Sequence, residues 1–299
     1  MDAEHPLILG HEASGTVAAV GSGVTSVTVG DHVAIEPGFP CRRCEFCKDG
    51  VYNLCQKIRF AAAPPDAHGT LTKFFVAPED FVYKVPIELS LQEAVLMEPL
   101  SVAVHTVRLI DIKPGQDVIV IGSGTIGLLS AAVATAFGAY RVILCDILER
   151  KLEFARSYLA CETFLLDVNA TPEENSARLL ESIKVTHGVD AVVEASGAES
   201  SVQVGVYVLK PGGSYVQAGL GKSKVEIPIL AFSQKELLLR GCFRYGAGDY
   251  PLALKLVRQG KVALKPLITS VTAFDQARSA WEKTSRGEGI KNLIEGVRD

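Results

Sequence analysis

The sequence predicts an α/β protein in two parts, an irregular mostly-β domain and a doubly wound parallel sheet. Three observations lead there. Before residue 101 the chain shows short β-like runs separated by Gly, Pro and Asp. After it, strand-like and helix-like segments alternate, the pattern of a parallel sheet covered by helices on both faces. A glycine-rich G-x-G-x-x-G turn follows the first of these later strands directly. A length of 299 residues accommodates two domains.

In the first part the β-like runs are Gly15–Val20, His32–Ile35 and Leu71–Val76. The second part reads as strand Val118–Ile121, helix Leu128–Phe137, strand Val142–Cys145, helix Lys151–Leu159, and strands Ala191–Glu194 and Ser214–Ala218. After Gly241 the pattern becomes irregular again, with helices expected at Pro251–Gln259 and Phe274–Thr284. The expected division is therefore 1–100 together with 245–299 for the irregular domain, and 101–244 for the parallel sheet.

A net charge of −4 with 48% hydrophobic residues describes a globular chain with a large core. There is no cationic excess to support a nucleic-acid partner. Val118–Tyr140 is a 23-residue stretch without a charge, long enough to span a bilayer. Its four glycines and its split into a β-branched run, a turn and an Ala-rich segment fit a strand, loop and buried helix better. The start, Met1-Asp2-Ala3-Glu4-His5, is acidic and carries no secretory pattern, so a cytoplasmic protein without a membrane segment is expected.

Four of the seven cysteines, Cys41, Cys44, Cys47 and Cys55, are spaced C-x2-C-x2-C-x7-C. Disulfides are disfavoured in an intracellular chain, so clustered thiols point to metal. Four thiolates fill a tetrahedral Zn²⁺ shell and leave no open position, which makes such a zinc structural. An iron–sulfur cluster is the competitor, because cysteines at two-residue gaps also occur in ferredoxins. The longer gap to Cys55 and the single set favour zinc. Cys145, Cys161 and Cys242 stand alone and are expected to fill core.

Gly122-Ser123-Gly124-Thr125-Ile126-Gly127 lies between the run Val118–Ile121 and an Ala-rich helix, the context a dinucleotide fingerprint requires. The first glycine makes the turn, the second admits a pyrophosphate, and the third lets helix pack on strand. The phosphates would sit at the positive end of the helix. Asp146 closes the next strand, where a carboxylate holds ribose hydroxyls and repels a 2′-phosphate, so NAD is expected rather than NADP. Arg150 is a nearby cation that could contact a phosphate.

Gly10-His11-Glu12 and Glu98-Pro99 offer His and Glu side chains that can ligate a zinc with an open position for water or substrate. Taken in order, Gly10-His11-Glu12-Ala13-Ser14-Gly15, the four-cysteine segment, Glu98-Pro99-Leu100-Ser101-Val102 and the glycine fingerprint resemble the zinc-containing medium-chain dehydrogenases. Phe60-Ala61-Ala62-Ala63-Pro64-Pro65-Asp66, the run from Glu98 to His105 and Gly241-Cys242-Phe243-Arg244-Tyr245 resemble their polyol branch, the sorbitol and xylitol dehydrogenases. The resemblance covers essentially the whole chain.

The resemblance implies a GroES-like catalytic domain and a Rossmann domain, oxidation of a polyol to a ketose with hydride transfer to NAD⁺, and a homotetramer. It makes His11 and Glu12 ligands of a catalytic zinc and Glu98 the acid that contacts the zinc-bound water. Phe60, Arg244 and Tyr245 match positions that line the polyol pocket, while Ser101, Val102 and His105 match packing residues. Glu194-Ala195-Ser196-Gly197 and Ala218-Gly219-Leu220-Gly221 resemble loops along the cofactor. In one respect the chain departs from the family: only ten residues precede His11, none of them cysteine, whereas the resemblance implies a first catalytic-zinc ligand, a cysteine, roughly twenty-five residues before Gly10-His11-Glu12. An amino-terminally shortened form is expected, with zinc held by His11, Glu12, Glu98 and water as the alternative. A non-catalytic NAD-binding protein and another zinc alcohol dehydrogenase are the rival functions.

Overall fold

The computed structural model describes residues 6–64 and 67–297. Met1–His5 and the Pro65-Asp66 end of the Phe60 motif lie outside the described residues. The chain divides into two compact units, Met1–Ser101 with Arg244–Asp299, and Val102–Phe243.

The first unit opens with β1 (Ala13–Thr16), antiparallel to β2 (His32–Ile35) with Ala13 opposite Ile35. A two-stranded ribbon follows, β3 (Gly38–Phe39) and, after the short helix α1 (Glu45–Lys48), β4 (Arg59–Phe60). Gly38 is needed there, since a Cβ would stand 2.9 Å from the Phe60 ring. β5 (Val82–Lys84) completes the three-stranded sheet by pairing with β2. Helix α2 (Leu91–Ala94) starts at a reciprocal Ser90–Glu93 capping box and leads into α3 (Met97–Leu109). Leu96, Met97 and Leu100 at this junction are fully buried.

The second unit contains β6 (Asp117–Ile121), α4 (Thr125–Ala136), β7 (Arg141–Asp146), α5 (Glu149–Tyr158), β8 (Glu162–Leu165), α6 (Pro172–Ser182), β9 (Val189–Glu194), α7 (Glu199–Val208), β10 (Leu209–Gln217), α8 (Ile229–Gln234) and β11 (Leu238–Gly241). The strands form one parallel sheet in the order β11-β10-β9-β6-β7-β8. The order reverses at β6, as in a Rossmann fold. Val118, Ile119 and Val120 are wholly buried, which is why this strand reads as a continuous apolar run rather than an alternation. The uncharged stretch that could have passed for a membrane span is β6, the glycine turn and α4, whose residues Gly127–Ala134 are all buried. Among the described residues no helix is long and apolar enough to cross a membrane. At the far end of α7, Lys235 Nζ donates to the Tyr207 and Leu209 carbonyls at 2.7 and 2.8 Å, satisfying acceptors the helix leaves open.

The chain closes with elements of the first unit, α9 (Asp249–Arg258), β12 (Ile268–Thr272), α10 (Ala277–Ser285) and β13 (Lys291–Ile294), with β12 and β13 parallel.

Two sequence expectations are corrected. Leu71–Val76 is not a strand: Leu71 N–H bonds Leu9, but Phe74 and Val76 are 66% and 90% exposed, so the apolar end of the run has no surface to cover it. Of the three lone cysteines only Cys145 is core. Cys161 is half-buried with its thiol on the Ala155 carbonyl, and Cys242 is half-buried with its sulfur 3.2 Å from Thr106 Oγ1.

The first unit also buries a carboxyl group that sequence reading passed over. Glu36 is fully buried and accepts hydrogen bonds from the Tyr52 and Tyr83 hydroxyls at 2.6 and 2.8 Å. Tyr83 stacks on Tyr250, whose ring meets Tyr245 edge-on. Burial pushes Glu36 up to about 7, and the two hydroxyls only partly offset it. The folded state therefore keeps a proton that the unfolded chain releases near 4.5. The group's contribution is greatest below pH 4.5 and is lost as pH rises through about 7. Glu36→Gln is expected to flatten the fall in stability between pH 5 and 8, measured by calorimetric melting; parallel curves for both proteins would contradict this assignment.

Candidate metal centres and dinucleotide site

The segment between β3 and β4 carries the four cysteines. Cys44 is the N-cap of α1, Cys47 lies within it, and Cys55 follows the single turn Tyr52–Leu54. All four sulfurs lie within 4.8 Å of one another, with Cys41–Cys47 at 3.9 Å and Cys44–Cys47 at 3.4 Å. Sulfurs on a tetrahedral zinc stand about 3.8 Å apart, given Zn–S bonds of about 2.3 Å. No pair forms a disulfide. Backbone N–H groups of Arg43 and Cys44 draw the Cys41 thiol down to about 6, while burial and the neighbouring thiols push Cys47 up to about 12. One sulfur ionises readily and resists the next, a conflict that a cation removes. The donor set fits zinc.

The second cluster is assembled from distant segments. Gly10 has φ +88°, and its carbonyl accepts from Thr70 N–H while Leu71 N–H bonds Leu9, which fixes the strip carrying His11 and Glu12. Gly69 lets this strip approach, since a Cβ there would meet the Leu9 carbonyl oxygen at 2.3 Å. Ser14 Oγ donates to the Leu91 carbonyl at 2.6 Å, tying β1 to α2. Glu98 lies in the first turn of α3, where the helix dipole favours a negative charge. His11, Glu12 and Glu98 each place one ligand atom within 4.8 Å of the others. An imidazole and two carboxylates suit zinc with a position left for water or substrate.

The surroundings tune these groups. Glu98 is buried, and desolvation together with the charge of Glu12 pushes it up to about 8. His11 is lowered, chiefly by desolvation and further by the cations Lys291 and Arg244, which favours the neutral form that ligates metals. Arg244, at φ +57°, places its guanidinium carbon 3.7 Å from the centre of the Phe60 ring. Phe60 in turn lies 5.6 Å from the His11 ring. The structure thus brings Phe60, Arg244 and Tyr245 to the same cluster, with Tyr245 buried.

Lys291 escaped the sequence reading. Its ammonium on β13 forms an ion pair with Glu12, both side chains largely buried. A single lysine in a short strand 279 residues from its partner carries no local pattern that could have singled it out.

In the second unit the glycine turn has the geometry a dinucleotide needs. Gly122 has φ +101°, and a Cβ on Gly127 would stand 1.7 Å from the Gly122 carbonyl oxygen. A Cβ on Gly124 meets nothing within 4 Å, so open space faces the turn. Gly124 is the N-cap of α4 and provides no side-chain cap, and the buried Ser123 hydroxyl makes no hydrogen bond among the described residues. These unsatisfied groups fit a phosphate. Asp146 accepts from Ser123 N–H at 2.8 Å and Leu148 N–H at 3.0 Å, which fixes its carboxylate at the end of β7. Ile126 lies in the first turn of α4 and Arg150 is exposed in the first turn of α5.

Comparison with known proteins agrees with both halves. The alcohol dehydrogenase GroES-like domain matches residues 1–87, and the zinc-binding dehydrogenase domain matches residues 125–259. The fold and these two domains define a zinc-binding dehydrogenase. D-xylulose reductase A of Aspergillus oryzae is 53% identical over 292 residues, 98% of this chain and 81% of that protein. Among solved structures, an oxidoreductase of unknown specificity from Escherichia coli superposes with a TM-score of 0.91 at 31% identity, covering 99% of this chain and 84% of that one. A protein from Sinorhizobium meliloti described as a zinc-binding dehydrogenase, solved with NADP, gives 0.84 at 28%, covering 97% and 83%. The chain belongs to the zinc-containing medium-chain dehydrogenases, in their polyol branch.

Lys291→Met leaves Glu12 without its ion-pairing cation and Glu98 without a nearby positive charge. The apo protein is expected to lose up to about 3 kcal/mol, at or below the low end of the roughly 3–5 kcal/mol for a fully buried pair, because both side chains keep some exposure. Added Zn²⁺ should then raise the melting temperature more in the variant than in the parent. Equal zinc shifts in a thermal-melt comparison would show that lysine and metal do not serve the same carboxylates.

Proposed function

We propose that this chain is a zinc-dependent polyol dehydrogenase that interconverts a polyol of the xylitol, sorbitol or arabinitol class and its ketose, using NAD⁺ and NADH. The observation that carries the reading is the convergence of His11, Glu12 and Glu98 beside Phe60, Arg244 and Tyr245. The name of the Aspergillus relative, a D-xylulose reductase, supports xylitol as the first substrate to try. His11 and Glu12 are the proposed ligands of the catalytic zinc, with Glu98 on the metal or on its water. Cys41, Cys44, Cys47 and Cys55 would hold a structural zinc. The chemistry that the bound groups supply is Lewis acidity toward a hydroxyl and acceptance of a hydride.

The protein's own part is orientation and proton handling. Glu98, raised to about 8, can take up or release a proton near neutral pH. Arg244, its guanidinium carbon over the Phe60 ring, offers donors suited to the distal hydroxyls of a polyol. Asp146 is the proposed partner of the adenosine ribose hydroxyls, next to Gly122, Gly124, Ile126 and Gly127 at the pyrophosphate, with Arg150 near its edge. This reading also carries a cytoplasmic homotetramer, to be checked by light scattering of the purified chain.

Turnover of xylitol with NAD⁺, recorded with zinc content on one sample, tests the reading; full zinc loading without turnover on any polyol refutes it. Arg244→Ala should raise KM for polyols about 10- to 100-fold, as expected for lost hydrogen bonds to a charged donor. Asp146→Ser should lower the NAD⁺ over NADP⁺ preference by about tenfold or more, near 1.4 kcal/mol. A preference for NADP⁺ in the parent would reverse the cofactor assignment. The ion pair of Lys291 with Glu12 favours one second reading, a dinucleotide-binding protein without catalysis, which would bind NADH and retain one zinc per chain.

A further inference from the structure

Glu194, at the carboxyl end of β9, is fully buried and is used neither by the fingerprint nor by the metal clusters. Its Oε1 accepts from Ser196 N–H at 2.8 Å and from the Ser196 hydroxyl, and both oxygens accept from Gly197 N–H at 3.0 and 2.9 Å. From the next strand, Gln217 Nε2 donates to Oε2 at 2.5 Å and also to the Gly219 carbonyl at 2.8 Å. The Glu194 backbone carbonyl accepts from Ala218 and Gly219 N–H. One residue thus joins the loop after β9 to the loop after β10.

The loops it joins are packed backbone against backbone. A Cβ on Gly219 would meet Gly197 N at 2.3 Å and Glu194 Oε2 at 2.6 Å, and one on Gly197 would meet the Leu220 carbonyl oxygen at 2.4 Å. A Cβ on Gly122, the first glycine of the fingerprint, would meet Ser196 N at 2.8 Å. With no side chains between them, the positions of these loops depend on the carboxylate at their centre. In a sheet of this topology a dinucleotide lies across the point where strand order reverses, one mononucleotide on each side. Asp146 on β7 marks the adenosine side, so the loops after β9 and β10 belong to the other half.

We infer that Glu194 is a positioning residue for the nicotinamide half of the cofactor, holding the loops after β9 and β10 in place against the fingerprint turn. The inference rests on the reading that this chain binds NAD(H). Glu194→Gln keeps the size but turns an amide N–H toward donors that need an acceptor, which uncouples one loop from the other. AMP needs only the β6–β7 side, whereas NADH needs both, so the two ligands separate this role from general stability.

The test measures Kd for NADH by its fluorescence and for AMP by calorimetry, on the parent chain and on Glu194→Gln. The expected result is an NADH Kd raised about tenfold, the scale of one or two lost hydrogen bonds to a charged acceptor, with the AMP Kd unchanged. If Glu194→Gln fails to fold, Gln217→Met removes the carboxylate's side-chain link to the loop after β10 while leaving the Ser196, Gly197 and backbone bonds in place, and the same selective loss is expected, on a smaller scale. Equal weakening of AMP and NADH, or no weakening of either, overturns the inference. A parent chain that binds AMP and NADH equally weakly, or neither, removes the cofactor reading itself and the inference with it, a result distinct from a failure confined to the variants.

Discussion

Two carboxylates with ligand oxygens inside the same 4.8 Å cluster repel each other, and burial removes the water that would screen them. Much of the first unit is explained by the need to hold Glu12 and Glu98 together. The capping box at α2 and the buried junction Leu96–Met97 fix where α3 begins, and with it Glu98. The close approach at Gly69 fixes the strip that carries Glu12. Lys291 and Arg244 then supply positive charge from two further directions, and the elevated Glu98 reflects the conflict that remains.

The second unit meets a different constraint. Its sheet is buried on both faces, so polar chemistry is confined to the strand ends, where backbone N–H groups point outward. There the bulk of side chains is removed: Gly122, Gly127, Gly197 and Gly219 allow turns to touch that any methyl group would separate. Asp146 and Glu194 serve as acceptors in the space left, Asp146 for N–H groups of its own loop and of the glycine turn, Glu194 for those of its own loop. A carboxylate at a strand end is thus an anchor for backbone.

What could be read from the sequence was what is local. The α/β class follows from periodicity, and the sulfur cluster and glycine turn follow from spacings of a few residues, because the chain itself brings such groups together. His11 and Glu12 are neighbours and could be noticed, but their approach to Glu98 crosses 86 residues and became legible only through the resemblance of several motifs in order. Lys291 and Glu36 were invisible because their importance lies in partners and burial, not in type or spacing, and Glu194 was legible only as the start of a loop motif, not as the buried acceptor that its partners make it. Leu71–Val76 misled for the same reason, since a run of β-prone residues becomes a strand only when another surface covers one face.

The ion pair between Glu12 and Lys291 also sets an order of events during synthesis. The second unit is one continuous stretch, Val102–Phe243, whose contacts can all form once it has left the ribosome. The first unit is split, and its acidic cluster acquires the lysine only after the whole second unit has been made. For most of translation Glu12 is therefore without its ion-pairing partner, so the acidic cluster reaches its final charge balance only after β13 has formed.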